Sequence, residues 1–178
     1  MNTCFRYSPL RRMAACMFLV LTSAFGPVLS APQGPPVGLL GGTGPGVHSP
    51  NSPVAPLPQR SDVLSWSLLT DVKVRDGAKG PRPRFNAMQQ ALNDKTHRVQ
   101  GFMMPLEPGE KQKHFLLSKV PLTCAFCIPG GPESMVEITT QDPVKYTLEP
   151  IVVEGRFAVL TDDPYGLYYR ISNGVPVK

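Results

Sequence analysis

Apolar and polar positions alternate with a period of two over most of the second half of the chain, which predicts strands. In 97–106 (HRVQGFMMPL), Val99, Gly101 and Met103 alternate with Arg98, Gln100 and Phe102. Gly101 suits a bulge or a sharp bend in a curling sheet. Further strands are predicted over 113–120 (KHFLLSKV), 135–140 (MVEITT), 151–160 (IVVEGRFAVL, with Gly155 as a second bend) and 167–171 (LYYRI). Earlier, Leu64, Trp66 and Leu68 alternate ahead of Val72 and Val74, which fits a short strand or a first helical turn. Residues 79–84 (KGPRPR) are expected to form a loop, because two prolines oppose regular structure. Asn86 is placed to cap a short helix over 87–92, with Met88 and Leu92 on one face. Five strands, two with interior glycines, and one short helix predict a mainly β fold. The expected architecture is a small five-stranded OB-like barrel, with a β-sandwich fragment as the alternative.

The alternation is confined to residues 61–178. Residues 31–60 hold eight Pro and six Gly, one charge (Arg60) and no aromatic residue. Such a segment buries too little to offset the entropy of ordering it, so a disordered linker is expected there. Residues 1–30 have the form of a signal peptide. Arg6, Arg11 and Arg12 precede an apolar run from Met13 to Phe25, Gly26-Pro27 breaks it, and Val28 and Ser30 suit cleavage after Ser30. The run falls short of the roughly 20 apolar residues of a membrane span. The expected organisation is a leader (1–30), a linker (31–60) and a barrel domain (61–178). The mature chain is then periplasmic, without stable membrane insertion.

The chain has 178 residues and a formal charge of +5. Three of its 18 basic residues lie in the leader; the other 15 face 13 acids, a net of +2. A nearly neutral, exported chain argues against a nucleic-acid partner.

Candidate chemistry centres on Cys124 and Cys127 in PLTCAFCIPGGPE, since Cys4 and Cys16 belong to the leader. Ile128 stands where a covalent haem needs His. A thioredoxin-type pair needs a helix N-terminus to lower its thiol pKa, and Pro121 before and Pro129-Gly-Gly-Pro132 after oppose a helix. A loop dithiol can still exchange disulfides. A zinc knuckle places two cysteines two apart on a Gly-freed turn, but tetrahedral zinc wants four ligands. His114, on the strand feeding the loop, is the best third donor, ahead of His97, Glu133 and Glu137. Structural disulfide, metal site at Cys124, Cys127 and His114, and redox pair all stay open at this point. No Gly-x-Ser-x-Gly, His-Glu-x-x-His or phosphate loop occurs, so no enzyme is expected. Asp162-Asp163 is read as turn chemistry. Met103-Met104 are strand neighbours facing opposite sides, so they do not make a copper pair.

The ordered set Trp66-Ser-Leu-Leu, Gly101-Phe-Met-Met-Pro-Leu106, Phe115-Leu-Leu, Cys124-Ala-Phe-Cys127 with Pro-Gly-Gly-Pro, Val152-Val-Glu-Gly155 and Gly166-Leu-Tyr-Tyr-Arg170 resembles the bacterial domain-of-unknown-function family 3299, from about Trp66 to Ile171. The resemblance implies an exported OB-like barrel. It also implies association with metal-uptake transport systems, and so a periplasmic or inner-membrane transport component as partner. It carries no established activity. One common form of the family has Cys-Ile-His before a run of prolines; here Phe126 replaces that His and Cys127 adds a sulfur.

Overall fold

The computed structural model describes residues 45–77 and 80–178. The expected leader (1–30), with Cys4 and Cys16, and the first part of the expected linker (31–44) lie outside the described residues.

Five strands close into a barrel: β3 (Thr96–Pro105), β4 (Lys111–Ser118), β5 (Met135–Lys145), β6 (Ile151–Val159) and β7 (Tyr169–Val177), in the order β3-β4-β5-β7-β6. β6 pairs back onto β3, and all neighbours are antiparallel except β5 and β7. This is the five-stranded OB-like barrel that the alternation predicts. Gly101 explains how it closes. Residues Thr96 to Gly101 pair with β6, and Phe102 to Pro105 pair with β4, so β3 changes partner at the glycine. A Cβ there would sit 2.9 Å from the Ser118 carbonyl oxygen and 3.0 Å from Leu117 Cβ. Gly155 marks the second bend: the β6–β7 register shifts between Glu154 and Arg156.

Side chains fill the barrel. Val99, Phe115, Leu117, Ile138, Phe157 and Tyr169 are fully buried in one cluster. Each such side chain contributes about 1.5–3 kcal/mol by leaving water. Away from this core, Leu116 packs with Met135 and Leu167 in a second cluster, and Val120 with both cysteines in a third. Met103 joins the main core and Met104 packs against the second cluster.

The elements before the barrel depart more from expectation. Leu64 to Leu68 resolves as a helical turn: α1 (Trp66–Thr70) is capped by Ser65, whose side chain accepts from Ser67 N. It buries Leu69, whose carbonyl accepts a 2.8 Å hydrogen bond from the Tyr169 hydroxyl. The expected loop over 79–84 contains a strand instead. β2 (Arg82–Arg84) pairs antiparallel with β1 (Lys73–Arg75), Pro83 opposite Val74. A two-stranded ladder consists only of edges, where Pro is tolerated because its missing N–H can face outward. α2 (Ala87–Gln90) begins at Asn86, as expected, with reciprocal Asn86–Gln89 capping bonds. It is one turn, shorter than 87–92, and its face differs: Met88 is exposed and Gln89 is fully buried, donating to the Leu68 carbonyl.

From Pro45 to Arg60 the chain forms a strap against the barrel domain, where a linker without fixed structure is expected. Val47 and Ile128 exchange two 2.9 Å backbone bonds, and Lys119 Nζ donates to the Gly46 carbonyl. Contacts with residues distant in the chain thereby supply the stabilisation that the strap's own composition lacks. No helix among the described residues is long and apolar enough to cross a membrane.

Candidate functional site

Cys124 and Cys127 are joined in a disulfide, their Cα atoms 5.4 Å apart. Pro121 opens the loop with a turn in which Cys124 N donates to the Pro121 carbonyl, and Cys127 N then donates to the Cys124 carbonyl. Two successive turns bring the sulfurs together. Both half-cystines are nearly buried against Val120, and Ser52 Oγ of the strap lies 3.2 Å from Cys124 Sγ. The side chains between and after them face outward: Phe126 is 61% exposed and Ile128 60%, beside Val47 at 54%. Three apolar residues are thus displayed on a covalently clasped loop and its strap.

The third candidate metal ligand is placed elsewhere in the bonding pattern. His114 Nε2 donates to Glu137 Oε1 at 2.7 Å. Glu137, on the neighbouring strand β5, also pairs with Arg170 of β7, and Arg170 Nη2 reaches Asp163 Oδ1 at 3.2 Å. His114 and Glu137, both named above as donors for the cysteine loop, therefore serve each other. Strand alternation puts all three residues on the outer face of β4, β5 and β7, and only the pairing of those strands reveals the chain of charges. Asp163 also accepts from Tyr165 N and Leu167 N, which is the turn chemistry expected of it. Asp162 pairs instead with Arg82.

His97, the other histidine considered, stacks edge-on to Phe157 at 5.9 Å, and its buried Nε2 has no hydrogen-bond partner. Desolvation and, next, the charge of Lys95 push its pKa down. It is a packing residue in this fold.

Zinc does not fit this arrangement. A metal ligand sulfur must be a thiolate, and both sulfurs are bonded to each other. Among the described residues no group of three or more His, Cys, Asp or Glu side chains is placed to hold a metal ion. The expected set Cys124, Cys127 and His114 is thus not brought together as a site. Chain proximity suggested it, whereas the outward position of His114 is satisfied by Glu137.

The fold and loop define a small closed OB-like barrel carrying a disulfide-clasped surface loop. The chain belongs to the family described as "Protein of unknown function (DUF3299)", which matches residues 70–165. It is similar to a DUF3299 family protein from Pseudomonas aeruginosa PAO1 with a crystal structure, at 22% identity and a TM-score of 0.40, over 74% of this chain and 91% of that one. No curated protein matches the chain.

Proposed function

We propose that the chain is an exported, non-enzymatic binding module that presents its disulfide loop to an apolar segment of a partner protein, such as a periplasmic or inner-membrane transport component. The observation that carries this reading is the exposed trio Val47, Phe126 and Ile128 on a clasped loop. Single exposed apolar residues need no explanation, but a contiguous apolar patch marks an interaction surface. An aromatic anchor on a rigid support is what a recognition surface uses, because little entropy is lost when it is covered.

The test is a photo-crosslinking amino acid at Phe126, with the same group at Tyr165, which is 83% exposed, as control. In an exporting host, a discrete adduct at 126 that is absent at 165 and lost in Ile128→Ser supports the reading. Equal labelling at both positions overturns it. A second reading, thiol–disulfide exchange, draws on the bonded Cys-x-x-Cys pair itself. Its measure is the reduction potential: structural disulfides lie below about −300 mV, and oxidising catalysts near −120 to −180 mV.

A further inference from the structure

A half-open groove of about 500 Å³ runs between the strap and the barrel. That volume lies within the roughly 300–1,000 Å³ of small-molecule sites. Apolar and polar residues share its walls about equally; the apolar ones include Leu57 and Pro58 from the strap, Leu64 and Trp66 around α1, and Val120 beyond β4. Among the described residues, no acid lines it.

Three basic side chains also line the groove, and two are committed. Arg60 makes two hydrogen bonds to the Asp62 carboxylate. His48 Nε2 donates to the Val54 carbonyl at 2.9 Å. Lys119 differs. Its Nζ makes one 3.1 Å bond to the Gly46 carbonyl, and among the described residues it has no acidic partner. Among the described residues, two of its three donors stay free. Burial pushes its pKa down, as expected for a cation partly withdrawn from water without a counter-charge.

Gln100 supplies the second polar feature. It is 6% exposed and lines the same groove. Its backbone carbonyl accepts from Trp66 Nε1 at 2.8 Å, but none of the hydrogen bonds among the described residues uses its side-chain amide. That amide keeps contact with solvent, so a polar ligand atom can take a water's place there.

We propose that this groove binds a small amphiphile bearing one carboxylate, held by the Lys119 ammonium with the Gln100 amide as a second polar contact, its apolar body covered by Leu57, Leu64 and Trp66. A single free cation matches a single negative charge. A phosphate dianion would leave its second charge without a counter-charge, which favours a carboxylate.

Trp66 is the only tryptophan of the chain, so its emission reports on the groove directly. Octanoate, octanol and octylamine are titrated into the purified protein. The expected result is a saturable change in Trp66 emission with octanoate, half-saturating at least tenfold lower than with octanol or octylamine. Lys119→Met should bring octanoate to the level of octanol. The proposal is overturned if octanoate gives no saturable change, or if octanol or octylamine matches it in the unmodified protein. The wild-type comparison decides the matter even if the Lys119 variant folds poorly.

Discussion

Reducing the Cys124–Cys127 bond should weaken the fold only slightly. The two residues are three apart in sequence, so the clasp closes a loop of about four residues. The chain-entropy relation then gives about 2 kcal/mol at 25 °C, near the lower end for disulfides. For a chain of this length, each kcal/mol moves Tm by about 2–4 °C, so reduction should lower Tm by about 4–8 °C. The barrel itself should survive, because the sulfurs pack with Val120 in a cluster separate from the main core. The assay is thermal unfolding followed by far-UV circular dichroism, with and without a phosphine reductant at one pH. A loss above about 4 kcal/mol, or a transition that ceases to be cooperative, would show that the loop holds the barrel together and refute this division of labour. An unchanged Tm would refute the entropy argument. Reduction should also abolish the Phe126 adduct, because Phe126 lies between the two half-cystines.

Gly155→Ala should cost about 3 kcal/mol or more in urea unfolding, since its Cβ would lie 2.6 Å from Ile171 Cγ2 and 2.8 Å from the Ser172 carbonyl oxygen. Glu137→Ala should cost about 3 kcal/mol, the low end for a broken buried pair, because Asp163 still faces Arg170. His114→Ala should cost less than about 1 kcal/mol, because that side chain is 38% exposed, and a double-mutant cycle would separate the two. His97 has its pKa pushed below the ordinary histidine value of about 6.5. The unfolded chain therefore takes up the proton first, so this contribution is whole above about pH 6.5 and is lost as pH falls toward the folded pKa. Urea midpoints between pH 8 and pH 5 should fall more steeply in the wild type than in His97→Gln, and equal slopes would refute the assignment.

The barrel was legible because each of its strands buries one face, which imposes the period of two that the sequence displays. Gly101 and Gly155 stood out as bends for the same reason: a glycine inside an alternating run forgoes packing, and here it admits a neighbouring backbone. The final strand reached further than 167–171 because its second half, through Asn173, Gly174 and Pro176, looks like turn sequence. Asn173 adopts a positive φ of 54° inside the strand, and pairing with β6 overrides that local preference. Arg82-Pro83-Arg84 was missed because the strand it pairs with, Lys73–Arg75, is exposed throughout and leaves no apolar signature. The strap was missed because its order comes from residues distant in the chain: Ile128, Lys119 and Cys124. Composition reports only what a segment can do alone. The same limit hid the groove, whose Lys119 and Gln100 sit on different stretches of chain.

A small barrel whose interior is occupied by Phe115, Phe157 and Tyr169 has no room for a ligand inside. On the proposed reading, binding is built on the outside, and the strap does that building. It bridges to the clasped loop through Val47 and Ile128, approaches Cys124 through Ser52, and walls the groove with Leu57 and Pro58. Val120 is common to both features: it packs against the two sulfurs and lines the groove. A change in the disulfide is thus felt one residue from Lys119. Occupancy of the groove and presentation of Phe126 should accordingly be coupled, and coupling is reciprocal. Octanoate should bind less tightly after reduction of the Cys124–Cys127 bond, and by the same factor it should protect that bond from reductant. Octanoate affinity that is identical in the oxidised and reduced protein would show the loop and the groove to be independent sites.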